Sequence, residues 1–150
     1  MNLYENSDQN DLFNLSRFLS AQEHIFATAL SELRRGRKQS HWMWFIFPQI
    51  DGLGSSPTAM KYAIKSLDEA RAYLNHPILG PRLLDCCRAL LSVSGKSVSE
   101  IMGYPDDLKL RSSMTLFSLV ADSQPELRDV LKKYFGGQED ARTLELLNVQ

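Results

Sequence analysis

The chain has little cysteine, and what it has is poorly placed for cross-linking. Its two cysteines, Cys86 and Cys87, are adjacent, and neighbouring residues rarely reach unstrained disulfide geometry. No CxxC or His/Cys ligand spacing occurs, which removes the common zinc patterns. The three histidines are scattered, with no carboxylate at ligand spacing, so no metal site is expected. Long apolar runs are missing as well, none approaching the roughly 20 residues that a membrane span needs. Neither charge dominates. Formal net charge is −1, which argues against strong non-specific nucleic-acid binding, because neutralising phosphates takes a basic surplus. A local basic patch remains open. The N-terminus is polar and acidic from Tyr4 to Asp11, unlike a signal peptide. These absences predict reduced thiols, at least one of them in the core, in a cytoplasmic protein with no membrane segment.

What is present describes one globular domain. A chain of 150 residues can bury roughly 70% of its unfolded surface. Hydrophobic residues make up 43% and charged residues 23%, as in ordinary globular proteins. Residues 1–9 are polar and read as a loose tail, leaving 10–150 as a single helical domain. Asn10 or Asp11 can cap a helix carrying Leu12, Leu15, Phe18 and Leu19. Ile25, Ala29, Leu30 and Leu33 continue the spacing to Gly36. The polar stretch Ser20 to His24 is the expected break. Arg34, Arg35, Arg37 and Lys38 crowd the end of this segment, where cations complement a helix dipole.

Later starts are marked by capping patterns. Ser56 precedes Pro57, with serine at the cap and proline at the first helical position. Ser66 with Glu69, Ser97 with Glu100 and Ser123 with Glu126 have capping-box spacing. Further helices are expected over Leu67 to Leu74, Ile78 to Val93, Tyr104 to Val120, Pro125 to Phe135 and Ala141 to Leu147. The fold class is therefore all-α, seven to nine short helices around one core. The densest stretch is Lys38 to Pro57, KQSHWMWFIFPQIDGLGSSP, which holds both tryptophans. His41 to Phe47 is compatible with a buried strand or a buried helical turn. Ser40 can cap it and Pro48 ends it. No second convincing strand exists to pair with it, so helix is the preferred assignment.

The blocks GRKQSHWMWFIFPQIDGLGSSPTA, SLDEARAYLNHPILGPRL, DDLKLRSSMTLF and YFGG follow one another in order. In them the chain resembles the bacterial family of proteins known as domain of unknown function 1810, sometimes labelled calpastatin. The resemblance runs from about Asp11 to Leu147. It implies a compact all-α fold, with helix at His41 to Phe47, and it implies no activity. The calpastatin label has no physical basis here, since inhibitors of that name are long disordered polar chains and this one is rich in apolar residues.

Three stretches could carry chemistry. On a helix His41, Trp44 and Phe45 share a face, an imidazole beside an aromatic wall. Gly52, Gly54 and Ser56 lead into a helix N-terminus, which can hold an anion. Lys109, Arg111, Ser112 and Ser113 place polar groups inside a mostly apolar helix, suited to a phosphate or carboxylate. With Gln49 these are the candidate ligand-binding residues. Each has a plainer reading as a core histidine, a capped turn, or cations paired with Asp106 or Asp107. Nothing identifies a catalytic residue or a cofactor, since no GxSxG, HExxH, kinase or deaminase signature occurs. The expected function is binding of an anionic, nucleotide-like small molecule in a cleft between residues 41–57 and 106–117. The competing reading is a protein-interaction module using exposed aromatic residues.

Overall fold

The computed structural model describes residues 11–149. The expected loose tail at 1–9, and Asn10 as a cap, lie outside the described residues. Ten helices occur among residues 11–149 and no strand. They are α1 (Ser16–Gln22), α2 (Phe26–Arg34), α3 (Met43–Ile46), α4 (Pro57–Tyr62), α5 (Leu67–Asn75), α6 (Leu79–Ser92), α7 (Val98–Met102), α8 (Asp106–Ser118), α9 (Glu126–Phe135) and α10 (Ala141–Leu147). The first apolar segment is two helices, broken at residues 23–25, at the end of its polar stretch, and this takes the number to ten.

The caps explain most of the starts. Asp11 accepts from the amides of Leu15 and Ser16 at 2.6 and 2.9 Å. Ser56 accepts from Ala59 at the start of α4, and Ser97 with Glu100 forms a complete capping box at α7. Three caps differ from expectation. Glu69 accepts from Lys65 rather than Ser66, because its carboxylate is shared with Arg17. The Ser123 box does not form, since α9 starts later, after Pro125. Gln124 accepts from the amides of Asp122 and Ser123 instead. Nor does Ser40 cap α3; Trp42 stands at that position and the Ser40 hydroxyl donates to Glu32.

Two helices organise the packing. α8 touches α5, α7, α9 and α10, while α6 touches α2, α5 and α9. Nine of the 13 residues of α8 are buried, so it is covered on every side rather than amphipathic. Phe18, Tyr73 and Phe117 form an aromatic chain through the core, with ring centres 5.0 and 5.2 Å apart. The buried Tyr73 hydroxyl accepts from Gln22, whose amide also donates to the Phe45 carbonyl. This polar contact joins α1, α3 and α5 without leaving a buried group unpaired. Cys86 and Cys87 are both buried and free, the second with its thiol 3.7 Å from the Met114 sulfur. Burial pushes Cys86 up to about 12 and Cys87 upward as well, so neither is a ready nucleophile.

The N-terminal helices are pinned by one guanidinium. Arg17 donates to the carbonyls of Phe13, Asn14, Lys61 and Ala63 and to the Glu69 carboxylate at 2.7 Å. Beside it, Ile50 and Ile64 make a single parallel bridge, with Asp51 donating to Ile64 and Ile64 to Gln49, each at 2.8 Å. That bridge anchors both ends of the loop that follows the aromatic run. Among the described residues no helix is long and apolar enough to cross a membrane.

Candidate functional site

The connector between α2 and α3 is built on a buried acid. Glu32 is 2% exposed and accepts four hydrogen bonds, from the amides of Gln39 and Ser40, the Ser40 hydroxyl and the Trp42 indole. Burial raises its pKa, but these four donors outweigh it and hold the carboxyl at about 2. An ionised buried carboxylate is tolerable only with such a donor set. Its effect is to fix the chain from Gln39 to Trp42, and so the direction in which the aromatic run leaves.

That direction lays residues 38–44 against the start of α8. Lys38 pairs with Asp106 at 2.9 Å, donates to the Ser40 carbonyl and stands 4.8 Å from the centre of the buried Trp42 ring. Lys109 meets the other Asp106 oxygen at 3.5 Å and lies 5.0 Å from the centre of the Trp44 ring. One carboxylate thus bridges two ammonium groups, and each of these covers a tryptophan. The two regions singled out by sequence are therefore neighbours.

The expected residues divide into those that gather and those that do not. Trp44, Gln49 and Gly54 line one cavity with Ile50, Ala59, Tyr62 and Ala63. Its volume is about 10 Å³, room for about one water. Lys109 joins this group through Trp44. His41 lies before α3, which begins only at Met43, so it shares no helix face with Trp44 and Phe45, and it is exposed rather than a core histidine. Arg111 turns away and donates to the carbonyls of Gln138 and Glu139 at 3.0 and 2.9 Å, holding the loop before α10. Ser112 donates back to the Leu108 carbonyl. Ser113 is fully buried, and its hydroxyl is the one buried side-chain polar atom without a partner among the described residues. Gly52 sits at φ +106°, with Leu146 packed where a side chain would go. Ser56 is engaged as the cap of α4. Polar side chains in α8 thus follow from a helix buried all round, where short hydroxyls bond to the preceding turn.

The matched segments confirm what this architecture is. Residues 12–147 match the family described as Protein of unknown function (DUF1810). The chain belongs to that family. It is also similar to the crystal structure of the conserved hypothetical protein Rv1873 from Mycobacterium tuberculosis, at 54% identity and a TM-score of 0.89. The match covers 92% of this chain and 99% of that one. No curated protein matches the chain. Membership in DUF1810 accounts for the fold and leaves the chemistry of the seam to be argued from its own residues.

Sequence reasoning missed the residues that complete the seam. Asp106 was read as a pairing partner for the α8 cations, as it is for Lys109, but Lys38 appeared only as a dipole cation. Leu108 was expected to face inward with Met114, Phe117 and Val120 but is 49% exposed, and Tyr104, not singled out, is 81% exposed. The i, i+3 spacing of Asp106 and Lys109 was the available signal. Nothing local connects either of them to Lys38, 68 positions before Asp106 in the chain.

Proposed function

We propose that this chain is a binding module without catalysis, and that its recognition surface is the seam between residues 38–45 and 104–109. Its partner is a protein segment with apolar side chains and an acidic flank. The observation that carries this reading is the exposure of Tyr104 and Leu108, which flank the start of the helix whose Lys109 covers Trp44. Large apolar side chains left in water at the start of a helix that covers a half-buried tryptophan have the composition of an interface centre. The acidic flank follows from charge: Lys38 and Lys109 both lie at this seam, and the one carboxylate they meet, Asp106, is shared between them. Binding of a nucleotide-like molecule would need a pocket of roughly 300 Å³ or more. The cavity at Trp44, Gln49 and Gly54 offers about 10 Å³, which favours the interaction reading over the small-molecule one.

The test is site-specific photocrosslinking. A photoreactive residue placed at Tyr104 or Leu108 should give the same discrete adduct. The exposed Met60, carrying the same group, should not. The purified adduct partner should then bind the unmodified protein, and Tyr104→Ala with Leu108→Ala should weaken it at least about tenfold, as for loss of a hot spot. Identical adducts at Met60, or an unchanged affinity of the double variant, would refute the proposal. So would a metabolite that raises the melting temperature of the wild type but not of Trp44→Ala, since that returns the seam to a small-molecule site.

A further inference from the structure

A second surface, away from the seam, is defined by charge. α2 and α9 both pack against α6, and their C-terminal ends meet its C-terminal end. Gly36, just past α2, would carry a side chain 3.1 Å from Val93 and 3.3 Å from Lys96. In the last turn of α9, Lys133 donates to the carbonyls of Leu91 and Val93 and Tyr134 to that of Leu90. Six cations collect here: Arg34, Arg35, Arg37, Lys96, Lys132 and Lys133. None makes an ion pair with a carboxylate among the described residues. Six of the 17 cations of a chain with net charge −1 therefore belong to this end of the molecule.

Helix dipoles account for only part of this. Three C-termini present about half a negative charge each. Lys96, donating to the Gly36 carbonyl, and Lys133, donating to the end of α6, already answer them. Arg34, Arg35, Arg37 and Lys132 remain exposed. Among the described residues their one side-chain partner is Gln39, 3.4 Å from Arg35. The nearest acids do not neutralise them. Glu32 is buried under its four donors, Glu100 is engaged in the capping box of α7, and Asp129 makes no ion pair among the described residues. Lys38, the next cation along, is taken by Asp106.

We propose that this end of the molecule binds the phosphate backbone of a nucleic acid without reading its sequence. Arginine forks suit phosphate oxygens bidentately, and half the cluster is arginine. Helices packed about 8–10 Å apart spread their ends over roughly 20 Å, the axial length of about six phosphates on one duplex strand. Among the described residues no exposed aromatic ring stands at these ends: Trp42 is buried and the Tyr134 hydroxyl is tied to Leu90. Base stacking therefore contributes nothing, and recognition is electrostatic.

The experiment is fluorescence anisotropy of the full chain with a labelled oligonucleotide of about 20 nucleotides, single-stranded and duplex, from about 50 to 200 mM salt. The expected Kd at low salt is roughly 1–100 µM, weakening with salt in proportion to several released counterions. Changing Arg34, Arg35 and Arg37 together to Gln should weaken binding at least about tenfold and flatten the salt slope by about 2 on single strands and about 3 on duplex. These side chains are exposed, so the melting temperature should stay unchanged. Changing Arg71, Arg128 and Arg142 to Gln removes the same charge elsewhere and should leave binding intact. No binding at low salt, equal loss in both triple variants, or equal binding of polyglutamate would each overturn the proposal. The last would assign the face to an acidic protein instead.

Discussion

Replacing Glu32 tests the connection between the buried acid and the aromatic run. Its pKa falls from 4.5 to about 2 on folding, which corresponds to about 3 kcal/mol favouring the ionised form in the native state. Glutamine can keep the geometry. Its oxygen can take the three N–H donors that one carboxylate oxygen now takes, and its amide can donate to Ser40 once that hydroxyl rotates. Glu32→Gln therefore removes the charge and little else. It should cost about 3 kcal/mol at pH 7. Because the folded pKa is depressed, the wild-type advantage is complete above the ordinary carboxylate range and is lost as pH falls toward 2. The difference between the two proteins should shrink by about 2 kcal/mol between pH 7 and pH 3. Urea unfolding followed by tryptophan fluorescence at both pH values measures it. Glu32→Ala should cost about 4 kcal/mol or more, since it orphans the buried Trp42 indole and the Ser40 hydroxyl. A stability difference that does not change with pH, or Glu32→Gln as stable as wild type at pH 7, would refute the argument that the ionised carboxylate holds this connector.

Two further substitutions address the junction of α5 and α6. A Cβ on Gly80 would stand 2.1 Å from the Leu74 carbonyl oxygen, a clash with backbone that no rotamer relieves. Gly80→Ala should cost about 3 kcal/mol or more, read as a lowered urea midpoint; a loss below about 1 kcal/mol would show that the two helices can separate freely. His76 accepts from the amides of Ile78 and Leu79 through Nδ1, and burial lowers its pKa, with Asp11 opposing and Arg82 assisting. The unfolded chain takes up this proton more readily, so stability should fall as pH drops below the ordinary histidine value near 6.5. His76→Asn keeps an acceptor there without titrating, and should flatten that part of the pH–stability curve. Identical curves would refute the role.

Much of the fold was legible because its signals are local. Ser56 before Pro57, Ser97 with Glu100 and the glycine pair at Gly136 each act within one turn, where a side chain must answer an unpaired amide or a reversal of the backbone. The split at Ser20 to His24 was visible for the same reason. The Ser123 box failed because an identical local pattern was overridden by where Pro125 starts the helix. The candidate site was legible only in part. The Trp44 region and Lys109 were recognised as unusual, yet Arg111, Ser112 and Ser113 were grouped with them by helical spacing alone.

The sequence by itself determined an all-α chain of short capped helices, two reduced thiols, and membership in its family through four ordered blocks. Each of these depends on residue type and near neighbours. The tertiary structure alone decided that Asp106 joins Lys38 to Lys109, that Arg111 serves the loop before α10, and that Ser113 is enclosed. It also decided that cations from Arg34 to Lys133 share one end of the molecule. Periodicity names a helix face but not what covers it. A lysine on that face becomes a solvated charge, a tryptophan cap or part of a binding surface according to the residues that packing brings from distant parts of the chain.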